Sequence, residues 1–96
     1  MTGMAPRIWG PMCWELLHAI ARMVDKRGGR RNMDRFIALL VALQFVLPCV
    51  SCRNNYSKVI NTYSKQSFKI GDMSCLVIDL HNSANKHLDK PMYDVD

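Results

Sequence analysis

The chain has 96 residues, 49% of them apolar and 22% charged, enough for one small domain with a single core and too apolar for a disordered chain. Its longest apolar run, Phe36 to Leu47 with only Gln44 interrupting, falls short of the roughly 20 residues that span a bilayer, so no membrane span is expected. The net charge of +5 comes largely from Arg22, Lys26, Arg27, Arg30, Arg31 and Arg35, opposed locally only by Asp25 and Asp34; with no aromatic residues between them, a solvated loop is expected and nucleic-acid binding is not.

Met1 to Pro6 lacks the basic start and apolar core of an export signal, and Arg7-Ile8-Trp9-Gly10 already reads as folded domain, so a cytoplasmic location is expected. Four cysteines in that setting point to catalysis or metal binding more than to a secreted disulfide framework.

From Pro11 the pattern turns helical. Met12, Leu16, Ala19 and Met23 form one apolar stripe and Trp14, Leu17, Ile20 and Val24 another, which predicts a helix from about Pro11 to Lys26, stopped by Gly28-Gly29. Trp14 and His18 are one turn apart on it. With Gly10 letting a bulky group approach the backbone, the two rings could wall a flat pocket; the competing reading has Trp14 simply filling the core.

Beyond the basic stretch, Asn32 is placed as an N-cap and Met33 to Val46 as a second helix. Its apolar residues run nearly all the way round, with Phe36, Leu39, Leu40, Leu43 and Leu47 on one side and Ile37, Val41 and Phe45 on the other. A surface helix needs one such stripe, so the second predicts a homodimer.

The apolar segment closes at Leu47-Pro48, because proline disfavours the helical region in the residue before it. Cys49-Val50-Ser51-Cys52 follows and opens a third helix, about Cys49 to Tyr63, with Tyr56 and Ile60 among the residues spaced for burial. A dithiol in a first helical turn has unpaired N–H groups and the positive end of the dipole to favour a thiolate, and Arg53 adds a cation. A fourth helix is predicted from Asp72, whose carboxylate can cap it, to before Pro91, carrying Cys75, Leu76, Ile78, Leu80, Ala84 and Leu88. No strand alternation competes, so the fold class is all-α, a four-helix bundle in one domain.

Residue spacing alone leaves the chemistry open. Cys49 and Cys52 suit a redox pair, or a structural zinc site completed by some of His18, His81, Cys13 and Cys75 in a helical interaction module. His81 and Asn85, and likewise Asn82 and Lys86, are four apart, giving a helical face of imidazole and amide donors followed by cations, suited either to a nucleotide or to a plain polar last turn.

Taken in order, Trp9-Gly10-x-x-x-Trp14-x-x-x-His18, Cys49-x-x-Cys52 and His81-Asn82-x-x-Asn85-x-x-Leu88-x-Lys90-Pro91 resemble the motifs of the FAD-linked sulfhydryl oxidases of the Erv/ALR family, and the short chain resembles the minimal members carried by large DNA viruses. The resemblance implies a four-helix bundle with a short extra helical turn, usually a homodimer, that binds FAD without a covalent link and needs no metal. It implies Cys52 as the thiol next to the flavin and Cys49 as the outer thiol met by a substrate dithiol. Gly10, Trp14 and His18 would line the cofactor, Tyr56 would pack near it, and His81, Asn82, Asn85, Lys86 and Lys90 would hold adenine, ribose and phosphates. Electrons would pass from a dithiol protein, such as a thioredoxin-like carrier, to FAD and then to dioxygen, giving hydrogen peroxide, in the cytoplasm of an infected cell or a virion.

The chain also departs from the family pattern. A structural disulfide found in many members would fall at Ile78 and Val95, and a frequent aromatic falls at Leu76. No second Cys-x-x-Cys is present to act as a shuttle, so direct transfer from a separate protein is expected. Cys13 and Cys75 are expected as buried small apolar residues, a disulfide between them being the minor alternative.

Overall fold

The computed structural model describes residues 5–89, which form four α-helices and no strand: α1 Pro6–Met23, α2 Gly29–Val46, α3 Val50–Tyr63 and α4 Met73–His87. A π-helical turn, Val24–Gly28, joins α1 to α2. Helix α1 starts a turn and a half before the sequence pattern suggests, because Pro6 stands at its first positions, where a missing N–H costs nothing. Pro11 is then inside the helix, not at its start.

The basic stretch is helical instead of a loop. Gly28-Gly29 redirects the chain without interrupting it: a Cβ at Gly28 would lie 3.1 Å from Val24 Cγ1, and Gly29 has φ +66°, a backbone state that side chains with a Cβ rarely adopt. Helix α2 therefore begins at Gly29, four residues before the predicted Met33, and Asn32 lies within it, accepting from Arg35 Nη1.

Helix α1 packs along α4, α4 along α3 and α3 along α2, around a core that includes Leu17, Phe36, Leu40, Ile60, Met73 and Leu80. Of the two apolar stripes of α1, the one through Leu17 and Val24 is buried, whereas Met12, Leu16 and Met23 are exposed. On α2 the exposed large apolar residues are Leu39, Phe45 and Val46, whereas Ile37 and Val41 are partly buried against the core. Gln44 is buried, and its amide Nε2 donates to the Val41 carbonyl 3.0 Å away. Leu76 belongs to the core, while Cys75 is exposed instead of buried.

The connection 64–72 returns to the α1–α2 junction, where Arg30 Nη1 donates to the Phe68 carbonyl at 2.9 Å. Asp72, expected to cap α4, instead accepts from the Lys69 N–H at 2.8 Å. The cap comes from Asp25 in the π turn, whose two carboxylate oxygens accept from the Met73 and Ser74 N–H groups, each at 2.9 Å. One end of the molecule is thus built from the π turn and the start of α4. The end of α2 and the start of α3 lie at the other, about 27 Å away by the length of an 18-residue helix. Among the described residues no helix is long and apolar enough to cross a membrane.

Candidate active site

At that far end Leu47 is extended, and the Cys49 N–H donates to the Leu47 carbonyl at 2.8 Å, a tight turn around Pro48 that suits the fixed φ of proline. Pro48 therefore precedes the helix, and Cys49 is the N-cap of α3. Cys49 is bonded to Cys52, with Cα atoms 5.2 Å apart, and its Sγ accepts from the Cys52 N–H at 3.3 Å. The Leu47 carbonyl takes a second bond, from Arg53 Nη1 at 2.6 Å, which ties the first turn of α3 back onto the approach to Cys49.

A cavity of about 760 Å³ opens beside the disulfide, with walls from all four helices, a size within the range of ~300–1,000 Å³ common for cofactor sites. Cys52 lines it and Cys49 does not. From α1 come Gly10, Trp14 and His18, from α3 Tyr56 and Asn55, and from α4 His81, Asn85 and His87, with Leu43 and Leu47 of the α2 end making an apolar wall. The His81 ring stacks on Trp14, with centroids 4.5 Å apart and planes 9° from parallel, and its Nδ1 lies 2.9 Å from His18 Nε2, one nitrogen donating to the other. Burial, followed by the nearby Arg22 charge, lowers the pKa of His18. Tyr56 is buried, its hydroxyl donates to the Leu40 carbonyl, and burial raises its pKa, with a smaller contribution from Cys13.

Gly10 tests whether the walls suit a flat cofactor. It is buried, yet a Cβ built on it would meet nothing within 4 Å, so it leaves room on the cavity side of α1 for a ring to approach the backbone. Flat faces on Trp14 and His81, apolar side chains at Leu43 and Leu47, and amide donors at Asn55 and Asn85 are the groups that a flavin nucleotide needs.

Most residues singled out by sequence meet here. Asn82 and Lys86 lie on α4 but are not among the lining residues, and Lys90 lies outside the described residues, as does Val95. Sequence reasoning missed Asn55, although Cys52, Asn55, Tyr56 and Val59 share one helical face and all four line the cavity. Cys13 is free and half-buried on the wall, with its thiol pKa raised by burial, and Cys75 is free as well. Among the described residues no three His, Cys, Asp or Glu groups converge as a metal site would need.

An all-helical domain with a disulfide running from a helix N-cap to the wall of a cofactor-sized cavity has the parts of a dithiol redox protein that works with a bound cofactor. The chain is a member of the Erv1 / Alr family, whose sequence model matches residues 11–96. It is 31% identical to 347L of Invertebrate iridescent virus 6, over 96% of this chain and 89% of the relative, and 30% identical to R368 of Acanthamoeba polyphaga mimivirus, over 93% and 64%. The mitochondrial ERV1 of Saccharomyces cerevisiae is 25% identical over 88% of this chain and 45% of its own length. All three carry FAD-linked sulfhydryl oxidase in their names. No solved structure matches the chain with significance.

Proposed function

We propose that residues 1–96 form a single FAD-dependent thiol oxidase domain that makes disulfides in a partner protein. The observation that carries this reading is the division of labour within one disulfide: Cys52 faces the cavity and Cys49 does not. A thiolate of the partner attacks Cys49 Sγ, the Cys49–Cys52 bond breaks, and Cys52 leaves as a thiolate. The partner's second thiolate attacks the sulfur now joined to Cys49 and completes the partner's own disulfide. Cys49 is released as a thiolate, where the Cys52 N–H and the N-terminus of α3 stabilise it.

The electron pair taken from the partner then rests on two thiolates, and Cys52 presents it to the cavity as the disulfide re-forms. FAD held by these walls would supply the two-electron acceptor for that pair and the route to dioxygen, with hydrogen peroxide as the product. Gly10, Trp14, His18, Tyr56, His81 and Asn85 would hold it from the walls, with Asn82, Lys86 and Lys90 extending the set on and after α4.

The exposed row Ile8, Met12, Leu16 and Met23 on α1 supports a homodimer, which sedimentation equilibrium tests directly. The viral sources of the relatives support an origin in a virus; action in the infected cytoplasm on a dithiol carrier such as a thioredoxin-like protein is the further part of this proposal. The deciding experiment is the visible spectrum of the purified, desalted protein, followed by thiol oxidation by the Cys52→Ser variant. The expected result is a flavin spectrum near one per chain, kept in Cys52→Ser while turnover is lost. A colourless protein that takes up no added FAD overturns the reading, as does normal turnover in Cys52→Ser.

A further inference from the structure

We propose that the end of the molecule opposite the disulfide is a docking surface for a membrane leaflet rich in anionic phospholipid. The sequence places five cations between Lys26 and Arg35, and the fold adds Lys65 and Lys69 from the connection 64–72, which the Arg30 bond to the Phe68 carbonyl holds against the start of α2. All of these cations are exposed. Two of the nearby carboxylates are engaged by backbone N–H groups, Asp25 at the start of α4 and Asp72 at Lys69, and the exposed Asp34 is outnumbered by the cations around it. The result is a basic end separated by the length of α2 from the cysteines.

The occupant is indicated by what accompanies the charge. Ile70, beside Lys69, is 55% exposed on a turn, an aliphatic side chain that phosphates have no use for and that the acyl boundary of a leaflet does. The aromatic residues nearby, Tyr63 and Phe68, are half-buried, so no ring is offered for stacking on bases. A cluster of four to eight cations next to an apolar tip is the combination that anionic headgroups attract. Docking by this end would leave the disulfide end pointing away from the surface, free to meet a dithiol protein.

The test is co-sedimentation of the full-length, FAD-loaded protein with vesicles of phosphatidylcholine alone and with 30% phosphatidylserine, near 0.1 M and 0.5 M salt. Binding at least tenfold stronger to the anionic vesicles, lost at high salt, is expected. Arg27→Glu/Arg31→Glu should lower it at least tenfold and Ile70→Ser by roughly three- to fivefold, with flavin spectrum, helix content and thiol oxidation in solution unchanged. No sedimentation, equal sedimentation with neutral vesicles, or binding indifferent to both variants overturns the proposal. So does duplex DNA that displaces the protein from anionic vesicles, an outcome that would assign the surface to nucleic acid.

Discussion

Asp25 reaches across 48 residues of sequence to accept from the Met73 N–H at 2.9 Å, and its second oxygen takes the Ser74 N–H at the same distance. A residue of the α1–α2 junction therefore caps α4 and fixes the axis along which His81 and Asn85 are presented to the cavity. Asp25→Ala should cost about 1–2 kcal/mol, at the upper end for a cap because two N–H groups lose their partner. In a domain of this size that is a fall in Tm on the order of 5–10 °C. Asn is expected to recover part of it, and thermal unfolding of the two variants, with Asp72→Ala as the comparison, checks the assignment.

The His18–His81 pair should make the protein sensitive to mild acid. His18 has its pKa lowered by burial and by Arg22, so below its ordinary value of 6.5 the unfolded chain takes up a proton that the folded chain refuses. The unfolded state then binds more protons, and stability falls as pH drops from about 6.5 towards the lower folded value. At pH 7 and above the contribution is flat. Thermal unfolding between pH 8 and pH 5 should show this slope, and His18→Gln, which cannot titrate, should flatten it.

Arg53 and Leu47 define the approach to the disulfide. The guanidinium donates to the same carbonyl that closes the turn around Pro48, so it holds Cys49 in place without touching the sulfur atoms. Arg53→Met keeps most of the aliphatic stem and removes the donors; it should cost about 1 kcal/mol of stability and lower thiol oxidation several-fold at unchanged flavin content. Arg53→Lys should recover part of the rate. If rate and disulfide reduction potential both stay at wild-type values in Arg53→Met, Arg53 does not position the pair.

Four helices were legible because period-3.6 spacing at Leu17, Phe36, Leu40, Tyr56, Ile60, Leu76 and Leu80 marks core faces, and each of these residues is buried. What spacing could not do was choose between two apolar stripes on one helix. Both stripes of α1 have the right period, and only packing against α4 decides that Leu17 is inside and Leu16 outside. On paper Asp72 is the cap of α4, and that Asp25 takes its place depends on a contact made across the fold. Gly28-Gly29 reads as a stop because glycine usually is one, but here a close approach to Val24 and one positive φ are what it serves. In the site, Trp14 and His18 were visible as neighbours four apart, whereas the stacking of His81 on Trp14 joins residues 67 positions apart that no periodicity connects.

Gly10 separates folding from cofactor binding most cleanly. Alanine in place of glycine in a helix interior is worth roughly 0.5–1 kcal/mol, and at Gly10 the added methyl meets nothing within 4 Å, so Gly10→Ala should raise the Tm of the cofactor-free protein by a few degrees. That same methyl would stand in the space on the cavity wall where a ring is expected to approach the helix. FAD affinity should therefore fall, by about tenfold or more, while the apoprotein gains stability. Unfolding of the apoprotein and equilibrium titration with FAD read the two effects independently. A variant with equal or tighter FAD binding would place the ring against another wall of the cavity, away from α1.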